Sequence, residues 1–276
     1  MSLDSVNTNY GALIALENLQ ATQTVLQRTQ NIISTGLKVS SAKDDASTWA
    51  IAQNQRAQVL SLDSVKDSLS RGQSSLDVAI SAGTSISDLL SQMKAKALAA
   101  SDAGLDSASR TALNNEFQAL RDQVTTIVTN ASFNGSNLIK SGGNNIFALA
   151  NADGTSKITV AAEDLSLGGA NVTATSTATI GTATTASTMI ATLQTSINNV
   201  SAALAKLGTG SKSLDNHLTF ITNLQGTLTT GIGNLVDADL AKESAQLQAL
   251  QTKQQLGVQA LSIANSSTSI LLGLFR

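Results

Sequence analysis

The sequence predicts a mainly α-helical protein: long antiparallel helices in a coiled-coil-like bundle, with a small β-hairpin region and a short variable excursion. Three observations carry that reading. No proline occurs in 276 residues, so nothing in the chain forbids helices of unusual length. Apolar residues recur at three- and four-residue steps over stretches longer than a globular helix needs. Turn signals gather instead in one central region, where Asn134-Gly135, Gly142-Gly143 and Asp153-Gly154 follow one another.

Taken in order, the first helix spans Leu3 to Ile33. Val6, Tyr10, Leu13, Leu16, Leu19, Leu26 and Ile33 form its stripe, and Asp4, Glu17 and Arg28 are its only charges. Gly36 suits the left-handed turn that ends a helix. Leu37 to Ser41 alternates like a short extended link, and Asp44 and Asp45 fit the start of a second helix as caps. That helix runs from Lys43 to Ala100 with Ile51, Val59, Leu62, Leu69, Leu76, Ile80, Leu89, Leu90 and Met93 inward, a length that reads as coiled-coil packing. A turn at Ser101–Gly104 leads to a third helix from Asp106 to Thr129, with Leu113, Phe117, Leu120, Val124 and Ile127 inward.

Short strands are expected at Asn137–Lys140, Ile146–Ala150 and Ile158–Ala162. Gly168 to Thr188 is almost wholly Gly, Ala, Ser and Thr and reads as a surface excursion with little packing power. Its hydroxyls Thr173, Thr175, Ser176, Thr177, Thr179, Thr182, Thr184 and Thr185 are candidates for O-linked glycosylation. Helical periodicity resumes at Met189 and passes through Leu214 to Ile232, and the glycines from Gly226 to Gly233 are expected to separate this helix from the last one. The terminal helix places Leu240, Leu247, Leu250, Leu261, Leu271 and Phe275 on a stripe, with amides and hydroxyls on the opposite face. After Glu243 its only charges are Lys253 and Arg276.

Composition excludes several classes of function. Aromatics are 3% and charged residues 13%, which suits long thin helical packing better than a thick enzyme core. A net charge of −2 gives no reason to expect nucleic acid or anionic lipid as partner. The absence of cysteine excludes disulfides and thiolate metal sites. Met1-Ser2-Leu3-Asp4 has neither a basic nor an apolar leader, so no Sec-type signal is expected, and no apolar run approaches a membrane span.

Catalytic candidates are few. His217 is the sole histidine, sits in a helical pattern beside Asp215 and Asn216, and reads as a surface or interface residue; a two-histidine zinc motif is impossible. Asp44-Asp45 and Asp237/Asp239 read as helix caps sooner than as a cation site. The glycines at 226–233 are not a phosphate loop, because no Gly-Lys-Ser/Thr follows. No catalytic site, cofactor or metal is expected.

The two ends pose an energetic problem. Neither is charged enough for open water, and pairing them with each other covers one stripe on each. The expectation is that Val6, Tyr10, Leu13, Leu16, Leu19, Leu26, Ile33, Leu240, Leu247, Leu250, Leu261, Leu271 and Phe275 form a polymerisation interface completed by other copies. Residues 38–236 are expected to be better able than the ends to fold alone.

Several stretches resemble one family. Ile33-Ser34-Thr35-Gly36-Leu37-Lys38-Val39-Ser40-Ser41-Ala42-Lys43-Asp44-Asp45-Ala46 is very similar to the N-terminal signature of bacterial flagellins, and Ser5-Val6-Asn7-Thr8-Asn9 is similar to its start. Phe133-Asn134-Gly135-Ser136-Asn137-Leu138 resembles the family's segment after the third helix. Val236-Asp237-Ala238-Asp239-Leu240-Ala241-Lys242-Glu243 and Ser269-Ile270-Leu271-Leu272-Gly273-Leu274-Phe275 resemble its C-terminus. Gly36, Leu37, Lys43, Asp44, Asp45, Asp237 and Asp239 are the motif positions carried over.

The resemblance implies the D0/D1 architecture: an N-terminal D0 helix (1–37), a D1 spoke with long helices (38–130), D1 β-hairpins (131–167), a short variable loop (168–188), a D1 C-terminal helix (189–235) and a C-terminal D0 helix (236–276). It implies a structural subunit of the swimming filament, without catalysis, exported unfolded by the flagellar type III system and polymerised at the tip outside the cell. The implied partners are other copies of the chain, an export chaperone, a filament cap and hook–filament junction proteins. A junction protein or secreted adhesin on the same ends is the alternative; a bulky aromatic or charged middle would mark it, and 168–188 has neither. Two departures stand out. Leu207-Gly208-Thr209-Gly210-Ser211-Lys212-Ser213 lacks the family's Arg, and Met93-Lys94-Ala95-Lys96 replaces Val-Arg-Glu-Leu, which counts against recognition by the animal Toll-like receptor.

Overall fold

The computed structural model of the chain describes residues 8–273, with side chains to residue 266 at the C-terminal end. Seven elements follow in order: α1 (Tyr10–Thr35), α2 (Ala46–Ala100), α3 (Ser107–Asn130), β1 (Ile146–Leu149), β2 (Lys157–Val160), α4 (Ala183–Val236) and α5 (Leu240–Gly273). They form two compact units, one of residues 58–226 and one of residues 1–57 with 227–276; α2 and α4 contribute to both.

In the 58–226 unit, α2 carries an unbroken heptad pattern. Leu62, Val65, Leu69, Leu76, Ala79, Ile86, Leu90, Met93, Ala97 and Ala100 are each at most 1% exposed, and Gly72 and Gly83 fill the remaining steps. In α4, Ala186, Leu193, Val200, Leu207, Leu214 and Ile221 repeat every seventh residue and are likewise buried. The two helices run antiparallel, as bonds from Gln225 Nε2 to Asp63 Oδ1 (2.8 Å) and from Gln73 Nε2 to Ser211 Oγ (2.6 Å) require. Lys94 Nζ also donates to Gln194 Oε1. Phe117 and Val124 of α3 are fully buried, and Asp106 caps that helix by accepting from the Ala108 and Ser109 N–H groups.

The hairpin docks on this pair of helices because glycines make room for it. β1 and β2 pair antiparallel, with Ile146 opposite Val160 and Ala148 opposite Ile158; Ile146, Ala148 and Val160 face inward and Phe147 outward. A Cβ at Gly210 would lie 2.6 Å from Val160, and one at Gly72 would lie 3.2 Å from Ile146. The Leu149 N–H donates to Ser68 Oγ, and His217 Nε2 lies 2.7 Å from the Ala150 carbonyl. His217 is therefore a structural tie to the hairpin.

Several local expectations are corrected. Asn137–Lys140 is a bend, not a strand: Asn137 Oδ1 accepts from the Ile139 and Lys140 N–H groups, and Leu138 and Ile139 are buried in place of an alternating face. The Gly168–Thr188 stretch is packed. Val172, Ala174, Ala178 and Ile180 alternate inward, the Ile180 N–H donates to Asn114 Oδ1, and α4 begins at Ala183, ahead of Met189. The physical reason is size: Ala on a close helical surface buries fully, so a run of small side chains can pack. The glycines at 226, 231 and 233 stay helical, so α4 continues to Val236. In the first turns of α2, Ile51 is 48% exposed while Ala52 takes the buried place.

Candidate assembly surface at the paired ends

The 1–57/227–276 unit is built on α1 and α5 packed along their length. Residues covered on α1 are Asn9, Ala12, Ala15, Leu19, Thr22, Leu26, Thr29 and Ile33; those on α5 are Glu243, Leu247, Leu250, Gln254, Gly257, Leu261 and Ala264. Both sets step by three and four, the seam of an antiparallel coiled coil. It is thin. Only Leu19 and Leu26 are large and buried, Thr22 turns its hydroxyl back to the Asn18 carbonyl, and a Cβ on Gly257 would meet Leu19 Cδ1 at 3.3 Å. At the far end Asn9 caps α1 through the Ala12 N–H and reaches across to the Ala264 carbonyl at 2.7 Å.

Where the ends meet the rest of this unit, the motif residues tie a knot. Gly36 adopts φ 71°, which lets its N–H close on the Ile32 carbonyl and turns the chain out of α1. The Lys38 N–H then donates to the Val236 carbonyl, the Ala238 N–H donates to the Gly36 carbonyl, and Leu37 bridges Asp237. Val39, Ala52 and Val236 are buried beneath Leu37, Trp49, Ile232 and Leu235. Lys43 is exposed.

The acidic motif residues divide their work. Asp45 caps α2 by accepting from the Ser47 and Thr48 N–H groups and the Thr48 hydroxyl, and that hydroxyl, followed by the Thr48 N–H, holds its carboxyl below the usual aspartate range. Asp44 does not cap the helix. It closes the link by accepting from the hydroxyls and N–H groups of Ser40 and Ser41, and the Ser40 hydroxyl is the main cause of its lowered pKa. Asp239 caps α5 through the Ala241 and Lys242 N–H groups. No group of residues able to hold a metal occurs among the described residues.

The stripes expected from the sequence do not map onto one face each. Leu19, Leu26 and Ile33 enter the seam, whereas Tyr10, Leu13 and Leu16 are 44%, 53% and 40% exposed. Three-residue steps rotate by about 300° each, so the run from Tyr10 to Leu19 drifts around the helix. On α5, Leu247, Leu250 and Leu261 enter the seam and Leu240 does not. Val6, Phe275 and the Leu271 side chain lie outside the described residues. The stripes also omit Ile14, Val25, Leu256, Val258 and Ile263, which are exposed off the seam, so apolar side chains surround both helices. An open groove of about 440 Å³ runs beside the seam, lined by Thr8, Asn9, Ala12, Leu13, Leu16, Leu261 and Asn265.

Comparison with known proteins gives a consistent result. Residues 6–145 match the bacterial flagellin N-terminal helical region, and residues 190–275 match the bacterial flagellin C-terminal helical region. The chain is 56% identical over 276 residues to flagellin FljO of Caulobacter vibrioides, covering 100% of both chains. It is 38% identical over 285 residues to a flagellin of Brucella melitensis, covering 99% of each. The crystal structure of Bacillus cereus flagellin superposes with a TM-score of 0.50 at 25% identity, covering 56% of this chain and 88% of that one.

Proposed function

Because the chain belongs to the bacterial flagellins and is a structural subunit of the extracellular flagellar filament, we propose that its two end helices are the surface through which copies polymerise. The observation that carries this is the apolar surface outside the seam. Tyr10, Leu13, Ile14, Leu16, Val25, Leu240, Leu256, Val258 and Ile263 are 40–65% exposed on two helices that also lack the charges of a solvated face. Neighbouring copies cover these side chains, and the Gln, Ser and Thr residues between them hydrogen-bond without burying a charge. Leu19, Leu26, Ile33, Leu247, Leu250 and Leu261 shape the pair that each copy presents.

The role is packing, and it needs neither catalysis nor a cofactor. The chain travels unfolded through the flagellar type III apparatus with an export chaperone and joins the filament tip beneath a cap, with hook–filament junction proteins at the base; a chain without cysteine or proline supports such a passage. O-linked sugars are placed on hydroxyls of 173–185, and the exposure of Thr175, Ser176, Thr177, Thr179, Thr182, Thr184 and Thr185 supports that placement, whereas the Thr173 hydroxyl is bonded to Ser196 Oγ of α4 at 3.0 Å.

The test is seeded polymerisation of full-length monomer followed by imaging. Leu13→Glu and Ile263→Glu should abolish filament growth while helicity of the monomer stays unchanged, because both side chains are exposed in the protomer. Normal growth with both substitutions would overturn the assignment.

A further inference from the structure

Five charges remain on the end helices among the described residues: Glu17 and Arg28 on α1, and Lys242, Glu243 and Lys253 on α5. None is ion-paired within the protomer, since the three ion pairs among the described residues join Lys96 to Glu116, Arg121 to Asp122 and Lys206 to Glu163. Glu243 has a local explanation. It turns into its own seam, one oxygen hidden, in the first turn of α5, where the helix dipole favours a carboxylate. The other four are exposed.

Their positions are ordered. Glu17 and Arg28 are eleven residues apart, which is three turns to within about 20°. They project from the side of α1 opposite Leu19, Thr22, Leu26 and Thr29, away from α5. Lys242 and Lys253 repeat the eleven-residue interval along one flank of α5, roughly 80° from its seam. An open-ended polymer requires two different patches that match, and these are two different patches.

We propose that copies in the filament are held in register by an ion pair between Glu17 of one copy and Lys242 of a second copy, an inference that rests on the end helices being the polymerising surface. Copies in a filament share one polarity, so a neighbour's α5 runs antiparallel to this α1. The equal intervals then discriminate between the lysines. Setting Glu17 beside Lys253 sets Arg28 beside Lys242, a like-charge contact that opposes the gain. Setting Glu17 beside Lys242 carries Arg28 past Leu240, the first residue of α5, and so keeps the cations apart. Leu19 lies against Gly257 within the protomer, so this pairing displaces the neighbour by about 17 residues, roughly 25 Å of helix.

The experiment measures the critical concentration for seeded growth of the full-length chain, with monomer helicity as control. Glu17→Lys should raise it by about tenfold or more. Adding Lys242→Glu to that variant should return it to within about threefold of wild type, whereas adding Lys253→Glu should not. Growth of Glu17→Lys at the wild-type concentration, failure of Lys242→Glu to rescue, or rescue by Lys253→Glu would overturn the pairing while leaving polymerisation through the ends intact. Leu13→Glu runs in the same assay, and its normal growth would remove the premise itself.

Discussion

The paired ends and the 58–226 unit use the same device, antiparallel helices meeting on a heptad seam, and reach opposite results. In the 58–226 unit the seam is filled by Leu62, Leu69, Leu76, Leu90, Leu193 and Leu207, closed over by Phe117 of α3 and by the hairpin. In the paired ends Leu19, Leu26, Ile33, Leu247, Leu250 and Leu261 share the seam with Ala12, Ala15, Thr22, Thr29, Gln254 and Gly257, and further large apolar side chains stand outside it. The difference teaches that a helical stripe does not reveal what covers it. One unit has its third layer within the chain; the other lacks one until further copies supply it.

Four changes would break or sharpen that contrast. Phe117→Ala, at a position with 0% exposure, should lower the stability of the 58–226 unit by about 3–5 kcal/mol in denaturant unfolding. Leu19→Ala should cost the paired ends about 2 kcal/mol, near the lower limit for such a truncation because the seam is thin. Its signature is lost helicity with an unchanged cooperative transition of the larger unit; a shift of that transition would show that the ends belong to the same core. Gly210→Ala should cost on the order of 1 kcal/mol, because crowding against Val160 at 2.6 Å outweighs the gain in helix propensity.

The smallest effect is an acid one. Asp44 and Asp45 are held below their ordinary pKa by hydroxyl and N–H donors, so their contribution is complete above the unfolded-state value of about 3.9 and is lost as pH falls through the lower folded value. Trp49, the sole tryptophan, lies in the knot these residues close and reports on it. Its fluorescence should change below about pH 4, and Asp44→Asn with Asp45→Asn should flatten that acid limb. An unchanged limb in the double variant would show that the knot does not depend on either carboxylate.

Much of the fold is legible in the sequence. The long helices, the turn at Ser101–Gly104 and the hairpin strands follow from periodicity and from residues whose chemistry acts locally. Gly36 and Asp239 likewise act on their own neighbours in sequence. The differences have separate causes. Glycines at 226–233 suggest the end of a helix, yet α4 runs through them, because local propensity is a few tenths to about one kcal/mol per residue and a long helix held by neighbours overrides it. The Ala- and Thr-rich run at 171–180 suggests a loose loop, yet it is packed, because small side chains bury fully against a close surface.

By itself the sequence determined the helical class, the order of the helices and the depletion of charge at both ends, because each is a property of composition or spacing along one chain. Only the tertiary structure decided which side chains of those ends face each other and which face outward. Three-residue steps drift around a helix, so the face that meets α5 is chosen by contact: Ala12, Leu19 and Thr22 are taken in, and Tyr10, Leu13 and Leu16 are left for another molecule.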